Sequence, residues 1–160
     1  MPAAISNTSP LLYLHRIDSI NWLRTLFDSI WVPQAVVIEL AEGQRLGFDV
    51  PDLALYPWLQ IIQPVTIPPE IANLDLGNGE SAVLALAISN TQRLLLLDDG
   101  LARRAAQNLG FTVWGTLKIL LEAKSQGLTD RIAPSVERLQ TSGMWISQDL
   151  RQRVLDLAGE

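Results

Sequence analysis

The chain has 160 residues, 48% of them hydrophobic, so it is long and apolar enough to bury a sizeable core and is not expected to be disordered. It contains no cysteine and a single histidine, which excludes disulfides, thiolate metal sites and cysteine nucleophiles and argues against a histidine-rich metal site. The 12 Lys and Arg side chains and 17 Asp and Glu side chains give a formal charge of -5. Nucleic-acid-binding proteins are usually basic, so this chain could bind a nucleic acid only through a local basic surface.

The sequence shows no sign of membrane insertion or export. No stretch reaches the ~18 consecutive apolar residues of a membrane span. The first residues lack the basic start and long apolar core of a signal peptide. We therefore expect a soluble, cytoplasmic protein. Neither an internal repeat nor a linker is visible, so residues 1–160 are expected to form one domain.

The chain opens with a strand followed by short helices. Ala3 to Ser6 is apolar enough for a strand, and Asn7-Thr8-Ser9-Pro10 then combines capping residues with a proline that suits the first turn of a helix. The apolar spacing predicts one helix over residues 11–17 and a second that starts at Asp18 or Ser19 and extends to Phe27. Asn7 therefore lies where a strand gives way to a helix.

A second strand and a second helical region follow. Ile30 to Val32 is the strand candidate, and Pro33 starts a helix with an apolar stripe. Glu39 lies beside that stripe, and a lone glutamate in such a place is usually a solvated residue. The signals that come next are weak, with one short helix expected around Pro51 to Pro57 and an extended edge segment over residues 58–65.

The segment from Gly77 to Glu80 marks a loop and the start of a strongly apolar helix. Gly77-Asn78-Gly79 predicts the loop, and Glu80 opens a helix that is apolar nearly all round, which is typical of a helix buried in the domain. Glu80 at the first turn either complements the helix dipole or points into a cavity lined by the loop. Its position favours the dipole.

A run of four leucines, Leu94 to Leu97, predicts a strand that is buried on both faces. Asp98, Asp99 and Gly100 end this strand, and the residues that follow predict an amphipathic helix up to Gly110. A carboxylate before a helix is often only an N-cap. A cap needs one aspartate and this junction has two, so capping and a metal or catalytic role stay open as alternatives.

The last third of the chain predicts one more strand and three helices. Phe111 to Trp114 is the strand candidate, and Thr116 stands at its junction with a helix that ends near Gly127. Two amphipathic helices follow, over Ile132 to Thr141 and over Ser147 to Ala158. The side chains expected to face inward on these two helices are Val136, Leu139, Leu150, Val154 and Leu157.

Strands and helices thus alternate, and short connections between them imply parallel strands. We predict an α/β fold in which a parallel β-sheet carries helices on both faces, as three α/β/α layers. Ligands of such sheets bind beyond the carboxyl ends of the strands. The polar residues that follow the predicted strands and should meet at this edge are Asn7, Asp98, Asp99 and Thr116. Glu39 and Glu80 lie on helices that could lean over it.

Five segments in this order resemble the PIN-domain proteins, and in particular the bacterial and archaeal branch related to the toxins of VapBC-type toxin–antitoxin pairs. The segments are SNTSPLLYL, VPQAVVIEL, GNGESAVLALA, LLLLDDGLARRAAQNLG and WGTLKILLEAKSQGL. The resemblance extends from about residue 3 to residue 158, although no single motif is very specific. The PIN fold is a parallel sheet between helices, which agrees with the architecture predicted above.

The resemblance implies a ribonuclease that depends on Mg²⁺ or Mn²⁺. Sites of this family gather three or four carboxylates from separate elements. Mg²⁺ prefers hard oxygen ligands, keeps several waters, and takes one or two carboxylates together with substrate phosphate oxygens. The bound ion neutralises phosphate charge and activates a water for attack.

The residues of this site follow from the resemblance, position by position. The implied catalytic residues are Glu39, Glu80 and Asp99, which should share one ion. The implied metal ligands are Asn7, Glu39, Glu80, Asp98 and Asp99, with Asp99 as the better match of the two aspartates and Asp98 as the adjacent candidate. Gly79 pairs with Glu80 in the family pattern, and Ser9 and Thr116 match hydroxyl positions near the site. Arg103 and Arg104 most often form the solvated face of a helix, with contacts to RNA phosphates as the alternative.

One position departs from the family pattern, because Asn7 stands where an aspartate is usual. An asparagine carbonyl can still ligate a cation, but it brings no negative charge. We therefore expect weaker metal binding and a less activated water. The protein is then either a slow nuclease or a binding module that has the fold of the family without its catalytic activity. The implied partners are RNA, an antitoxin protein and a second copy of the chain.

Overall fold

The computed structural model describes residues 1–63 and 66–160. The strands are β1 (Ala3–Ser6), β2 (Ser29–Pro33), β3 (Leu59–Ile62), β4 (Leu94–Leu96) and β5 (Val113–Trp114). The α-helices are α1 (Thr8–Arg16), α2 (Trp22–Leu26), α3 (Gln34–Arg45), α4 (Pro69–Ala72), α5 (Asn78–Ile88), α6 (Gly100–Asn108), α7 (Thr116–Ser125), α8 (Ala133–Thr141) and α9 (Gln148–Leu157). A short 3-10 helix, Leu53–Leu55, precedes β3.

The five strands form one parallel sheet in the order β3-β2-β1-β4-β5. The chain builds outward from β1 to β3 and then returns to the other side of β1, so the strand order reverses between β1 and β4. In open parallel sheets the crevice at such a reversal, beyond the carboxyl ends of the strands, is where ligands bind.

The run of leucines explains why helices cover both faces of the sheet. Leu94 and Leu96 belong to one hydrophobic cluster, and Leu95 and Leu97 belong to the other, because successive side chains of a strand point to opposite faces. Helices α1, α2, α3, α7, α8 and α9 contribute to the first cluster, and α4, α5 and α6 to the second. The predicted three-layer α/β fold is therefore confirmed.

Several element boundaries differ from those expected. Helix α5 begins at Asn78 with Gly77 as its N-cap, so the predicted loop wrongly included Gly79, which lies in the first helical turn. Strand β5 holds only two residues because its pairing with β4 is limited to Leu95 and Leu96. The edge segment is β3, paired on one side with β2, and Val65, which was included in that segment, lies outside the described residues.

Helix α9 is less buried than its apolar pattern indicates. Val154 is buried, but Leu150 is 38% exposed and Leu157 is 70% exposed, so the prediction that both face inward was wrong. The helix makes its main contacts with α7, and Val154 is its buried side chain. In the part of the chain that the structure describes, no helix is both long and apolar enough to cross a membrane.

The carboxylate of Glu160 holds α7 and α8 together at the end of the fold. It accepts hydrogen bonds from the N–H groups of Ile132 (2.8 Å) and Ala133 (3.0 Å) at the start of α8, and from Lys124 Nζ of α7 (3.0 Å). Burial opposes ionisation of this carboxyl, but the hydrogen bonds and the charge of Lys124 outweigh burial and lower the pKa of Glu160 to about 2.

We expect Glu160→Gln to lower the free energy of unfolding at pH 7 by about 1.5 kcal/mol, as hydrogen bonds to a charged group are lost. The folded pKa lies below the ordinary value of 4.5, so this stabilisation is complete above that pH and disappears as the pH falls towards about 2. Urea unfolding of both proteins across this range should show the difference shrinking. The exposed Glu137 of α8 provides the control, and an equal loss from Glu137→Gln would contradict the assignment.

Candidate active site

Polar residues occupy the carboxyl ends of β1, β4 and β5. Asn7 directly follows β1, and its N–H donates to the carbonyl of Leu96 in β4 (3.0 Å). Asp98 follows β4, and Thr116 begins α7 just beyond β5. These side chains therefore lie along one edge of the sheet, at the crevice where the strand order reverses.

Glu39 reaches this edge from α3, which contacts both α1 and α5. Its Oε1 accepts a hydrogen bond from the N–H of Gly79 (2.8 Å), and its Oε2 accepts one from the hydroxyl of Thr8. Both oxygens of the carboxylate are thereby fixed in position by residues of two other elements, α1 and α5. The prediction that the helix carrying Glu39 leans over the sheet edge agrees with this geometry.

Asn7 lies against the same carboxylate. Its side chain is 3% exposed, and its Oδ1 is buried without a hydrogen-bond partner in the described part of the chain. A buried carbonyl oxygen without a partner loses its hydration and gains nothing in return, so such groups are rare and call for a partner from outside the protein, such as an ion or an ordered water. We refer to Asn7, Glu39 and Gly79 as the Asn7–Glu39 niche.

Gly79 leaves the space that brings these oxygens together. A Cβ atom at this position would lie 2.7 Å from Asn7 Oδ1 and 2.9 Å from each carboxylate oxygen of Glu39. All three oxygens thus surround the point where any other residue would carry its side chain, so glycine is required here by close approach and not by backbone conformation.

We expect Gly79→Ala to lower the free energy of unfolding by about 1–3 kcal/mol, because the added methyl group forces fixed oxygens apart. Gly100→Ala is the matched control, since an added Cβ there meets only the flexible end of Arg104 at 3.4 Å. That control should leave stability unchanged or slightly higher, by up to ~1 kcal/mol. Urea unfolding measures both, and a Gly79→Ala protein as stable as the wild type would contradict the description of the niche.

Asp98 is held at the edge by Thr116. Its two oxygens accept hydrogen bonds from the N–H and from the hydroxyl of Thr116, both at 2.7 Å. The guanidinium of Arg103 lies close by and donates to the carbonyl of Leu97 (3.3 Å). Burial raises the pKa of Asp98, although the Thr116 hydrogen bonds and the charge of Arg103 act in the opposite direction.

Asp99 has a different environment from its neighbour. It is exposed, and its carboxylate accepts from the N–H of Ala102 (3.0 Å) as the N-cap of α6. The sequence left helix capping and a metal or catalytic role open for this pair. Asp99 is the helix cap, whereas Asp98 is held by Thr116 at the edge of the sheet. That Asp99 is the catalytic member of the pair stays a prediction, and the geometry favours Asp98.

Glu80 and the remaining predicted residues lie around this edge. The carboxylate of Glu80 folds back over the first turn of α5, where a Cβ on Gly77 would lie 2.5 Å from its Oε2. This is the position that complements the helix dipole. Ser9 is half-buried in the first turn of α1, and Arg104 is exposed on α6.

The acidic side chains at this edge are held by different neighbours. Within residues 1–63 and 66–160, no group of three or more Asp, Glu, His or Cys side chains is placed to hold one metal ion. The structure places Glu39 beside Asn7, Asp98 beside Thr116, Glu80 beside Gly77 and Asp99 beside Ala102. That Glu39, Glu80 and Asp99 share one ion stays a prediction.

The Asn7–Glu39 niche nevertheless has the donors that Mg²⁺ or Mn²⁺ prefers. It offers a carboxylate and an unpartnered amide oxygen, which are hard oxygen ligands, and Mg²⁺ sites commonly use only one or two carboxylates from the protein. The residues present thus fit a divalent cation that keeps waters or takes further ligands from a substrate.

Thr8 was not recognised in the sequence. It precedes Ser9 in the capping segment, and only the fold shows that its hydroxyl holds Glu39, 31 residues further along the chain. The structural reason for Gly79 was missed as well, because a glycine next to Asn78 resembles an ordinary loop signal. The hydroxyl-rich segment Asn7-Thr8-Ser9 was the available hint for Thr8.

A family model described as PIN domain matches residues 3–160. No curated protein matches the chain.

Proposed function

Because this chain belongs to the PIN-domain family, whose members generally act as nucleases on RNA and use divalent metal ions, we propose that it is a Mg²⁺- or Mn²⁺-dependent endoribonuclease. The observation that carries the proposal is the buried Oδ1 of Asn7, which has no partner and lies against the carboxylate of Glu39 at the sheet reversal. Both groups offer oxygen to a cation, and they lie where the strand order reverses between β1 and β4.

Asn7 and Glu39 are the residues that would hold the ion. When bound, a divalent cation of this kind neutralises phosphate charge, activates a water and stabilises the leaving oxygen. Thr8 and Gly79 orient Glu39 for this task, because each fixes one of its carboxylate oxygens. Glu80, in the first turn of α5, and Asp99, the N-cap of α6, flank this edge, and of the two aspartates Asp98 takes the catalytic role in this proposal.

Asp98, Thr116 and Arg103 form the second half of the proposed site. Thr116 keeps both oxygens of Asp98 in place, so the carboxylate can orient a water or accept its proton without first reorganising. Arg103 brings a positive charge to the same edge, where a guanidinium can contact phosphate oxygens. Ser9 and Arg104 are the flanking candidates for further contacts with RNA.

The test is an incubation of purified protein with a structured RNA in Mn²⁺, in Mg²⁺, and in excess EDTA. We expect endonucleolytic fragments with either metal and intact RNA with EDTA, whereas a DNA of the same sequence should be cleaved more slowly or not at all. Intact RNA under all conditions would contradict nuclease activity. Cleavage that continues in EDTA would contradict its dependence on a metal.

A second candidate function is a PIN-like module that binds RNA or protein without cleaving. Two observations favour it: Asn7 removes a charge that the family pattern usually has, and no described group of three acidic residues can share an ion. RNA that binds in a fluorescence anisotropy assay but stays intact in Mn²⁺ would support this alternative. Asn7→Asp should then strengthen metal binding by calorimetry, because it restores the missing charge.

We further propose that the protein acts in the cytoplasm as the toxin of a toxin–antitoxin pair, and that it works as a homodimer. The resemblance to VapBC-type toxins supports this role. An exposed tryptophan, Trp145 at 85%, supports a protein partner, since large apolar side chains in contact with water often mark interfaces. Induced expression in a bacterium should slow growth, and normal growth would contradict the toxin role without touching the nuclease activity.

A further inference from the structure

The Asn7–Glu39 niche carries little negative charge for a divalent cation. Asn7 contributes a neutral carbonyl and Glu39 a single carboxylate, and no described set of three acidic side chains surrounds this point. One negative charge against two positive charges leaves the ion incompletely neutralised. Proteins usually give Mg²⁺ one or two carboxylates, and with a single carboxylate this niche depends on negative ligands from elsewhere.

Both oxygens of the Glu39 carboxylate already accept hydrogen bonds in the absence of an ion. Its Oε1 accepts from the N–H of Gly79, and its Oε2 accepts from the hydroxyl of Thr8. These bonds hold the carboxylate in one orientation and disperse part of its charge. Glu39 can therefore offer a remaining lone pair to an ion, but it cannot swing to enclose one.

In contrast, Asn7 Oδ1 is free to coordinate a cation. It is buried and has no hydrogen-bond donor within the described residues. Its backbone is held by the bond from its N–H to Leu96, and its side chain is buried, so the oxygen is shielded from bulk water. The niche is thus arranged to receive a cation while lacking the charge to retain one alone.

We infer that Asn7 makes metal binding conditional on substrate: the niche takes up its divalent cation tightly only together with an RNA phosphodiester. This inference rests on the proposed ribonuclease function. A phosphodiester supplies the missing negative charge and further oxygen ligands, and Mg²⁺ is commonly held by one or two carboxylates plus substrate phosphates. Because binding free energies are reciprocal, the cation must strengthen RNA binding by the same factor.

The experiment titrates Mn²⁺ into the full chain by calorimetry, with and without a 2′-O-methyl RNA oligonucleotide whose integrity is checked on a gel. Mn²⁺ titrated into the oligonucleotide alone is subtracted. We expect the oligonucleotide to lower the apparent Kd for Mn²⁺ by about tenfold or more, and Mn²⁺ to tighten oligonucleotide binding equally. Glu39→Gln should abolish this coupling, whereas Glu42→Gln, on the exposed side of the same helix, should keep it.

Asn7→Asp is the decisive variant. It adds the missing charge, so Mn²⁺ alone should bind more tightly and the oligonucleotide should add less. Two adjacent carboxylates repel each other, so the melting temperature without metal should fall and recover with Mn²⁺. Asn7→Ala keeps the inference testable if that variant fails to fold, because removing Oδ1 should prevent Mn²⁺ uptake even with the oligonucleotide.

The outcomes separate the inference from the proposed function. Wild-type protein that binds Mn²⁺ equally tightly with and without the oligonucleotide overturns the inference, while RNA cleavage in Mn²⁺ by that protein would leave the proposed function standing. Coupling that persists unchanged in Asn7→Asp also overturns the inference. Protein that takes up no Mn²⁺ under either condition overturns both.

Discussion

Glu39→Gln is expected to reduce RNA cleavage by at least about 100-fold while leaving the fold unchanged. Metal-assisted charge stabilisation contributes several kcal/mol, and each 1.36 kcal/mol corresponds to a tenfold change in rate. Glu39 supplies the only formal charge of the Asn7–Glu39 niche, and glutamine removes it while keeping the shape. The carbonyl of glutamine can still accept from Gly79, and the Thr8 hydroxyl can rotate to accept from its amide.

Glu42→Gln is the matched control for this variant. Glu42 lies three residues further along α3, is exposed, and pairs with Arg45 on the helix surface. Initial rates in Mn²⁺ should be the same for Glu42→Gln and the wild type. Urea unfolding should show that all three proteins are folded with similar stability. Cleavage by Glu39→Gln at the wild-type rate would remove the niche from the active site.

Asp98→Asn is expected to lower cleavage by about 10- to 100-fold, the usual effect of removing a group that orients the reacting ligands. The same substitution should not destabilise the protein. Burial raises the pKa of Asp98, so its ionised form opposes folding. Asparagine keeps an acceptor for the N–H of Thr116, and the Thr116 hydroxyl can rotate to accept from the new amide.

The pH dependence of that stability gives an independent check. When folding raises the pKa of a carboxyl, its protonated form stabilises the folded protein at pH values below the ordinary pKa, which is 3.8 here. This stabilisation is lost as the pH rises through the pKa of the folded state. Asp98→Asn removes this dependence, so the variant should gain relative stability as the pH rises above about 3.8. Unfolding of both proteins between acid and neutral pH measures the difference, and a variant that becomes relatively weaker with rising pH would contradict the burial of Asp98.

Asp99 provides the control that separates the two neighbouring aspartates. Asp99→Asn should retain the N-cap of α6, because asparagine and aspartate cap equally well, whereas Asp99→Ala should cost about 1 kcal/mol of stability. Neither change should match the loss of cleavage in Asp98→Asn. If Asp99→Asn abolishes cleavage and Asp98→Asn does not, the roles assigned from the geometry are reversed.

The sheet could be predicted because its signal is local. Four consecutive leucines bounded by polar residues are typical of a strand covered on both faces, and their alternate contributions to the two clusters show this arrangement directly. The alternation of strands with helices then determined parallel pairing. These inferences needed only the order of residues along a short segment.

The details of the site could not be predicted in the same way. Asp98 and Asp99 are adjacent and chemically identical, and their different roles depend on Thr116 and Ala102, which become neighbours only through folding and helix formation. Gly79 was assigned to a loop because paired glycines usually break helices, whereas here a glycine is needed to admit Glu39. The exposed Leu157 shows that a periodic pattern identifies an apolar face but not what covers it.

The attachment of Asn7 to the central strand has a consequence for how this site can diversify. Its N–H is bonded to Leu96 and its carbonyl accepts from the hydroxyl of Ser6, so the backbone at this position is set by the sheet and not by the side chain. A single amino-acid substitution at this position could therefore change the charge of the site without changing the fold. Descendants of one ancestor could in this way span active enzymes and silent ones, differing in chemistry far more than in shape.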